Sequence, residues 1–396
     1  MIPSSLAAPP RLRILYLNHA RFPSEKAHSR QMAEVCAAMV RLGHDVTMTV
    51  PTAGRDVPLD PRDAYGVFPT FPVERLRHFD PWTTLLVPGA FKMLVGTWFY
   101  RLALRRYLRA HPADLLYLRS PLLLRTAVRS GAPVILELHT LPRRGRTRFV
   151  GLCNECRKVV CLTSPMRGEL ASWGVAPSRL AVEGDAVDLA PFVSTPSLHE
   201  AKLMWRLDPV HPVIGYVGSL VTQDTIQKGV GELLQAFKLL SQRGVLFRGW
   251  IVGGPAGWAE RYKRMALELG IASLVRFEGR IGADEVPSAL AACDALAYPA
   301  PRSDHPYFRR DTSPLKIFEY LAARRPIVAA DLPPLRDVLD GSVARLCAPG
   351  DPASLAQALE DVLKHPQEAQ TRVQEGWQRV QTHTWEERMK RILILS

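Results

Sequence analysis

The ten residues 311–320 read Asp-Thr-Ser-Pro-Leu-Lys-Ile-Phe-Glu-Tyr. A short apolar run at 295–300 precedes them and another follows at 326–330, an order typical of a strand, a loop, a helix and a second strand. Similar apolar runs alternate with helical patterns in both directions along the chain. The alternation predicts an α/β fold with parallel sheets and right-handed crossovers.

The start of the helix in this stretch offers a place for an anion. Ser313 is a favourable N-cap residue and Pro314 a favourable first helical residue, so we expect the helix to begin there. The amides of Leu315 and Lys316 would then be unpaired at the positive end of the helix dipole. Such a helix start suits a phosphate group, and Lys316 adds a formal charge beside it.

Two acidic residues flank this helix start. Glu319 follows Lys316 by one helical turn and would reach hydroxyls such as those of a ribose, while Asp311 enters from the loop. Together these groups suit a sugar attached to a nucleoside diphosphate. The alternative is an ordinary capped helix whose charged residues are solvated.

The chain of 396 residues is too long for one ordinary core, and its β/α series begins afresh at residue 213. We predict two doubly wound Rossmann-like domains that face each other across a cleft. The predicted parts are an N-terminal domain at 1–190, a connection at 191–211, a second domain at 212–375 and a C-terminal helix at 376–396.

Composition favours a cytoplasmic protein. No apolar run is long enough to span a bilayer, and residues 1–10 lack the basic and apolar segments of a secretory signal. Cys153 and Cys156 form a CxxC with Cys161 nearby, but no second pair lies at zinc-finger spacing. We interpret the six cysteines as reduced thiols; a metal or redox role for the CxxC is the alternative.

The positive charge is concentrated in the first half. Residues 1–190 hold 26 Lys+Arg and 15 Asp+Glu, net +11, whereas the remainder holds 25 and 23, net +2. This indicates an anionic partner such as a lipid surface, a phosphorylated acceptor or nucleic acid. Residues 81–110 run from aromatic and apolar side chains into four arginines, which fits a bilayer interface or a packed helix with a solvated basic face. The charge asymmetry favours the membrane.

Candidate site residues of the first half follow predicted strands, where open α/β sheets bind ligands. The loop that ends at Ser29 lacks the Gly-x-Gly-x-x-Gly fingerprint, which argues against dinucleotide oxidoreductase chemistry. His139 ends its strand and precedes a basic loop with Arg143 and Arg144, where an imidazole would donate a hydrogen bond to a sugar hydroxyl or phosphate. Asp185 opens the loop after the last strand of this half.

With these pieces placed, the chain resembles a GT-B glycosyltransferase, specifically the retaining glycosyltransferase family 4. The most specific match is the pair of acidic residues Asp311 and Glu319, separated by seven residues, with Asp in place of the more frequent Glu. Supporting matches lie at 42–46, 136–139, 215–220, 228–229, 251–254, 275–280, 285–299 and 326–331.

The resemblance implies an acceptor domain followed by a donor domain, with the last helix crossing back to the first. It places at the donor Ser29, Gly218, Ser219, Lys228, Gly253, Arg280, Ile281, Ser313, Leu315, Lys316 and Glu319, and on the acceptor side Arg143, Arg144 and Asp185. The catalytic residues would be His139, Lys228, Asp311 and Glu319.

Each matching residue has an implied role. Leu315 and Lys316 would hold the donor diphosphate, Glu319 the ribose, and the backbone around Arg280 and Ile281 the base. Lys228 would neutralise the diphosphate as it leaves. Asp311 would bind hydroxyls of the transferred sugar, which His139 would contact from the opposite domain.

The sequence departs from the family pattern in two places. Many members have an arginine where this chain has Ser219, and the loop at 220–228 is longer than usual. The resemblance therefore implies that Lys316 or Arg280 replaces a phosphate contact. The glycine-rich loop of the first domain is also replaced, so His28 and Ser29 would have to approach the donor.

The expected activity is retaining transfer of a sugar from a UDP- or GDP-sugar to a hydroxyl acceptor, in cell-surface polysaccharide or glycolipid synthesis at the inner membrane face. The absence of an Asp-x-Asp motif predicts no metal and no other cofactor, with protein cations stabilising the leaving diphosphate. Same-face attack is favoured because no separate nucleophile can be named. The alternatives are a sugar-nucleotide epimerase, for which no clear acid–base pair is seen, and a non-catalytic sugar-nucleotide module. A nucleic-acid binder is disfavoured because its motifs are absent.

Overall fold

The structure, a computed structural model, describes residues 10–24, 27–51, 60–79, 81, 89–222 and 225–394 of the chain. The chain divides into two compact units. The first contains Met1–Glu183 together with Trp385–Ser396, and the second contains Gly184–Thr384. The C-terminal segment therefore belongs to the first unit, although it follows the second in sequence.

The first unit is built on a parallel sheet with the strand order β3-β2-β1-β4-β5-β6-β7. Its strands are β1 (Arg13–Leu17), β2 (Asp45–Pro51), β3 (Val73–Leu76), β4 (Leu115–Leu118), β5 (Val134–Leu138), β6 (Lys158–Cys161) and β7 (Leu180–Val182). Its helices among the described residues are α1 (Ala27–Arg41), α2 (Pro61–Tyr65), α3 (Gly89–Ala110), α4 (Pro121–Val128), α5 (Arg146–Glu155) and α6 (Ser164–Ser172). The central strands are buried on both faces, as expected for a sheet covered by helices on both sides.

The second unit has a parallel sheet with the order β12-β11-β8-β13-β14-β15 and a separate antiparallel hairpin. The sheet contains β8 (Val213–Val217), β11 (Arg248–Val252), β12 (Val275–Glu278), β13 (Ala295–Tyr298), β14 (Ile327–Ala330) and β15 (Arg345–Cys347); the hairpin pairs β9 (Val221–Thr222) with β10 (Ile226–Gln227). The helices of this unit are α7 (Ala190–Val193), α8 (Leu198–Met204), α9 (Val230–Gln242), α10 (Ala256–Glu268), α11 (Val286–Ala291), α12 (Leu315–Ala322), α13 (Pro352–Lys364) and α14 (Pro366–Val380).

The last helix, α15 (Trp385–Ile394), lies in the first unit. Its inner face buries Trp385, Met389 and Ile392, and Arg391 pairs with Glu183. The prediction of two doubly wound parallel-sheet domains is thus confirmed.

The unit boundaries differ from the predicted ones. The chain leaves the first unit at residue 183 rather than 190, and residues 191–211 are part of the second unit. One reason is that Lys202 of α8, only 3% exposed, pairs with Asp294 at 2.7 Å and so docks the expected connection on the second core. The expected C-terminal helix at 376–396 is two helices, α14 in the second unit and α15 in the first.

Both sheets have a point where successive strands begin to add on the other side. In the first sheet β2 and β3 extend from one side of β1 and β4 begins the other; in the second sheet β11 and β12 extend from β8 and β13 begins the other. Loops at the carboxyl ends of the strands separate at such a point and leave a crevice for a ligand. The switch points are therefore between β1 and β4 and between β8 and β13.

Close packing under β8 gives a test of the second core. An ideal Cβ on Gly215 would lie 2.2 Å from the Cys293 sulfur. We expect Gly215→Ala to lower the free energy of unfolding by about 1–3 kcal/mol in a denaturant titration, because this core has no room for another carbon. Gly257→Ala is the control, since no atom lies within 4 Å of its added Cβ.

Cys293→Ala should relieve that clash. The double variant Gly215→Ala/Cys293→Ala is expected to be more stable than the sum of the two single effects predicts. Strict additivity of the two substitutions would contradict the proposed clash.

Candidate functional site

The residues predicted for the donor gather at the carboxyl edge of the second sheet. Gly218 follows β8, Gly253 follows β11, and Arg280 and Ile281 come just after β12. Gly218 and Gly253 are in contact, because a Cβ on Gly253 would lie 2.0 Å from the Gly218 carbonyl oxygen. The structure thus brings to one edge residues that the resemblance to the family had placed at the donor.

The helix start differs in detail from the prediction. Helix α12 begins at Leu315 and Pro314 is its N-cap residue, without a side-chain cap. The prediction that Ser313 caps the helix is wrong: its Oγ accepts the backbone amide of Asp185 at 2.8 Å. Ser313 therefore ties the loop at Asp185 to the helix start. Asp185, expected on the acceptor side, is a buried residue of this second unit.

The first backbone amides of α12 remain open to an anion. The Ile317 amide donates to the Pro314 carbonyl at 3.0 Å. In the described part of the chain the structure gives no acceptor for the amides of Leu315 and Lys316. These two donors lie at the positive end of the helix dipole, the geometry that binds phosphate groups.

Lys316 extends from the helix start toward the end of β8. Its Nζ donates to the Tyr216 hydroxyl at 2.8 Å and lies 4.1 Å from the centre of that ring. A Cβ on Gly218 would be 2.8 Å from both Cε and Nζ of Lys316. A glycine at 218 is therefore required for the lysine to take this path.

Lys228 approaches the same region from the end of the β9–β10 hairpin. Its side chain donates to the Tyr307 hydroxyl, and Nζ lies 3.7 Å from the centre of that ring. The next residue, Gly229, has a φ of 83° and passes so close to β13 that a Cβ would lie 2.5 Å from the Ala300 amide nitrogen. Only glycine combines this backbone conformation with this approach.

Both lysines are poorly solvated. Burial, reinforced by Lys316, lowers the pKa of Lys228 to about 6. Burial lowers the pKa of Lys316 to about 7, although Glu319 acts in the opposite direction. Within the described ranges neither lysine forms an ion pair with a carboxylate. A bound anion would restore charge to both groups, because an opposite charge favours the protonated amine.

The other predicted residues of this unit are engaged with protein groups. Asp311 ends a π-helical turn at Tyr307–Asp311, and its two carboxylate oxygens accept from Arg310 at 2.6 and 3.1 Å. The Ser219 hydroxyl donates to the Val221 carbonyl. Glu319 is half-buried on the helix that carries Lys316.

In the first unit, His139 follows β5 and its Nε2 lies 2.6 Å from the Glu137 carboxylate. Ser29 does not fit its predicted role: it is fully buried in α1, and its hydroxyl is 2.6 Å from that of Ser24. Arg143 and Arg144 are exposed in the loop after His139. Part of the predicted loop, residues 25 and 26, lies outside the described residues.

Sequence reasoning missed the aromatic side chains that surround Lys228 and Lys316. Tyr216 and Tyr307 hold the two lysines, and Tyr298 lies with its ring centre 5.6 Å from the Lys316 Nζ. Tyr216 precedes Gly218 by two residues in an extended strand, a spacing that places both on one face. Nothing in the local sequence marks Tyr307.

Two family models match the chain in succession. The model described as "Glycosyltransferase Family 4" matches residues 28–190, and the model "Glycosyl transferases group 1" matches residues 211–365. The chain belongs to glycosyltransferase family 4, as the sequence motifs indicated.

Curated relatives are moderately similar. A D-inositol 3-phosphate glycosyltransferase of Streptomyces coelicolor is 26% identical over 61% of this chain, and the match spans only 58% of that relative. A phosphatidyl-myo-inositol mannosyltransferase of Mycobacterium leprae is 27% identical over 71% of this chain and 72% of its own length.

Solved structures share the fold over nearly the whole chain. A sucrose-phosphate synthase from Thermosynechococcus elongatus has a TM-score of 0.74 at 18% identity, with 97% of this chain and 98% of that chain covered. HepE of Anabaena, solved in complex with UDP and glucose, has a TM-score of 0.69 at 16% identity, with 97% and 99% covered. Both confirm the predicted GT-B fold.

The buried lysine predicts an unusual dependence of stability on pH. The pKa of Lys228 is about 6 in the folded chain against 10.5 for the free side chain, so between these values the unfolded chain binds the extra proton. The lysine therefore destabilises the fold increasingly as pH falls from about 10 to about 6. We expect Lys228→Met to raise the melting temperature near pH 7 and to have less effect near pH 10. Each kcal/mol added to the free energy of unfolding corresponds to a rise of ~2–4 °C.

The matched control is Lys263→Met, which removes an exposed lysine paired with Glu260 at 2.7 Å. It should change the free energy of unfolding by less than about 0.5 kcal/mol. The same change in melting temperature for Lys228→Met at both pH values would contradict the assignment of a neutral, desolvated amine.

Proposed function

We propose that this protein is a retaining glycosyltransferase that moves a sugar from a UDP- or GDP-sugar to a hydroxyl acceptor. The observation that carries the proposal is the pair Lys228 and Lys316, desolvated beside the open amides of α12. Two desolvated amines at a helix start, without an ion-paired carboxylate in the described chain, suit the diphosphate of an activated sugar, whose charge would favour their protonated form.

We assign the remaining contacts of the donor to residues at the carboxyl edge of the second sheet. The diphosphate lies on the amides of Leu315 and Lys316, and Glu319 accepts from the ribose hydroxyls. The backbone at Arg280 and Ile281, beyond the Gly253 turn, holds the base. Glu319 is well placed for this role because its charge already acts on Lys316, one helical turn away.

Lys228 and Lys316 stabilise the leaving group. Negative charge grows on the diphosphate as the bond to the sugar breaks, and a buried cation stabilises it more strongly than one in water. The two lysines occupy the place that a divalent cation would otherwise take, so the proposed reaction is metal-independent. Lys316 also supplies the charge that family members with an arginine at position 219 place there.

The hydrogen bonding of Asp311 supports same-face attack. Both oxygens of this carboxylate are held by Arg310, so it is a poor nucleophile toward the sugar. In the proposed mechanism the acceptor hydroxyl attacks from the face that the diphosphate leaves, and a phosphate oxygen takes its proton. Asp311 retains lone pairs with which to accept hydrogen bonds from sugar hydroxyls.

A panel of UDP-, GDP- and ADP-sugars tests the proposed donor. One base should raise the melting temperature by mass action, equivalent to about 2.7 kcal/mol at a ligand concentration of 100 Kd. Near pH 8 binding should take up protons, because the lysines are largely neutral without ligand and charged with it. Calorimetry in two buffers of different ionisation enthalpy measures this uptake.

Lys228→Met and Lys316→Met should each abolish the thermal shift, whereas Lys263→Met should retain it. Formation of a glycosylated acceptor with unchanged anomeric configuration would establish retention. No stabilisation by any nucleotide sugar, or turnover unaffected by Lys228→Met, would contradict the proposal.

The acceptor is proposed to lie at an anionic membrane, with the protein in the cytoplasm. Helix α3 carries one stripe of partly or fully exposed side chains, at positions 91, 94, 98, 101 and 105, that passes from apolar residues into arginines. The opposite side of α3 buries Tyr100 and Leu104 in the first core. This arrangement suits a helix lying in a bilayer interface, with arginines over lipid headgroups. The Mycobacterium leprae relative is named for a lipid acceptor, which agrees with this proposal.

Neighbouring arginines strengthen the basic half of this surface. Burial lowers the pKa of Arg101 on α3, and repulsion by Arg105, by Arg148 of α5 and by Arg125 of α4 adds to this effect. Burial also lowers the pKa of Arg125, with repulsion by Arg129, Arg148 and Arg105. No helix among the described residues is long and apolar enough to cross a membrane. Residues 82–88, part of the predicted aromatic segment, lie outside the described residues.

Flotation with liposomes tests the membrane surface. Leu94 is 66% exposed on the stripe, and Leu267 is 70% exposed on α10 of the second unit. We expect binding to vesicles with anionic lipid but not to neutral vesicles, and Leu94→Glu should weaken it by lost apolar burial and charge repulsion. Leu267→Glu should bind normally; equal loss in both variants, or no dependence on anionic lipid, would contradict the proposed surface.

A further inference from the structure

A charged pair is completely buried in the first unit, on the side of the C-terminal helix. Glu137 of β5 is 1% exposed and Arg388 of α15 is 0% exposed, and the Arg388 Nη2 lies 2.9 Å from a Glu137 oxygen. Removing both charges from water costs several kcal/mol, so such a pair contributes little net stability. The pair therefore calls for a role other than stability.

The Glu137 carboxylate gathers groups from three elements. Arg388 reaches it from α15, the Tyr117 hydroxyl donates to it from β4, and His139 Nε2 lies 2.6 Å away just beyond β5. Burial works against the charged carboxylate, but Arg388, His139 and Tyr117 outweigh it, and the pKa of Glu137 lies well below its usual range. Glu137 is thus an anion that accepts a hydrogen bond from the Nε2–H group of His139.

His139 is held as a neutral ring. Burial, followed by Arg119 and Arg388, lowers the pKa of His139 to about 4, although Glu137 acts in the opposite direction. With its proton on Nε2, the imidazole has a bare lone pair on Nδ1. The structure records no partner for Nδ1 within the described residues, and Nδ1 is not among the buried polar atoms that lack one. This nitrogen can only accept a hydrogen bond.

We propose that Glu137 and Arg388 are positioning residues, which fix His139 with Nε2 donating to Glu137 and Nδ1 turned into an acceptor for a ligand hydroxyl. His139 then recognises a hydroxyl and not a phosphate, the reverse of the donor role expected from sequence. The inference rests on the proposed function only in taking that hydroxyl from a sugar substrate. It also makes the C-terminal helix part of the site through Arg388.

The same helix supplies a matched control. Arg391 pairs with Glu183 at 2.9 Å, but this pair is partly exposed and the structure shows no contact between it and His139. Arg391→Met removes an arginine–carboxylate pair from α15 without touching Glu137. Among the described residues, the charged groups that act on His139 are Arg119, Glu137 and Arg388. Tyr16 and Tyr117 interact in turn with Glu137 and Arg388.

Nitrogen-15 NMR of labelled histidine in the full chain, without any substrate, tests the positioning directly. We expect wild-type His139 to show a protonated Nε2, a bare Nδ1 and a titration midpoint of about 4. Arg388→Met should raise that midpoint, because Arg388 lowers it, and Glu137→Gln should lower it, because Glu137 raises it. Arg388→Lys should restore the wild-type signal, and Arg391→Met should leave it unchanged.

Kinetics supply the second readout. Arg388→Met should reduce kcat by on the order of tenfold or more through misplacement of His139, while nucleotide binding in the second unit is kept. Should Arg388→Met fail to fold, Glu137→Gln/Arg388→Met removes both charges together, and its His139 midpoint should still fall below that of wild type.

Identical His139 spectra in wild type, Arg388→Met and Glu137→Gln would overturn the inference. So would a wild-type Nδ1 that carries the proton, or equal shifts in Arg388→Met and Arg391→Met. The spectra require no turnover, so absence of transferase activity would refute the proposed function and leave the positioning of His139 decided on its own evidence.

Discussion

Two lysine amines with little water around them are the central feature of the second unit's ligand edge. Lys228 and Lys316 can be there only because glycine occupies positions 218 and 229, where any Cβ would meet a lysine side chain or the backbone of residue 300. Tyrosine hydroxyls and ring faces contact the amines, and no carboxylate in the described part of the chain forms an ion pair with either of them. Such contacts compensate only part of the lost hydration, which leaves a standing preference for an anion.

In the first unit, by contrast, the buried cation is paired with an anion. Arg388 finds a carboxylate at 2.9 Å, and that carboxylate is further satisfied by Tyr117 and His139. The charges of Glu137 and Arg388 therefore balance each other, and this cluster does not require the charge of a ligand. Its remaining capacity is a single lone pair on the imidazole. The second unit therefore offers amines suited to an anion, and the first unit offers a hydrogen-bond acceptor suited to a neutral hydroxyl.

The fold and the ligand edge could be predicted from sequence because they follow from local periodicity and from the rule for parallel strands. The grouping of Gly218 and Gly253 with Lys316 came from the resemblance to the family, and the structure brings these residues to the same edge. Contacts between distant segments could not be predicted in this way. The use of Ser313 to bind the Asp185 amide replaces a favourable cap with a tertiary hydrogen bond, and nothing local to either residue indicates it. The partnership of Glu137 with Arg388 spans the whole second unit in sequence.

The two arginine–carboxylate pairs of α15 differ in their roles. Arg391–Glu183 is partly exposed, and pairs of that kind contribute at most about 1 kcal/mol. Burial of Trp385, Met389 and Ile392 is sufficient to hold the helix on the first core, at roughly 1.5–3 kcal/mol for each large apolar side chain. The fully buried Arg388 adds little to that attachment, because its desolvation offsets its attraction to Glu137. What the pair does provide is a fixed direction for the carboxylate, and through it a fixed proton on His139.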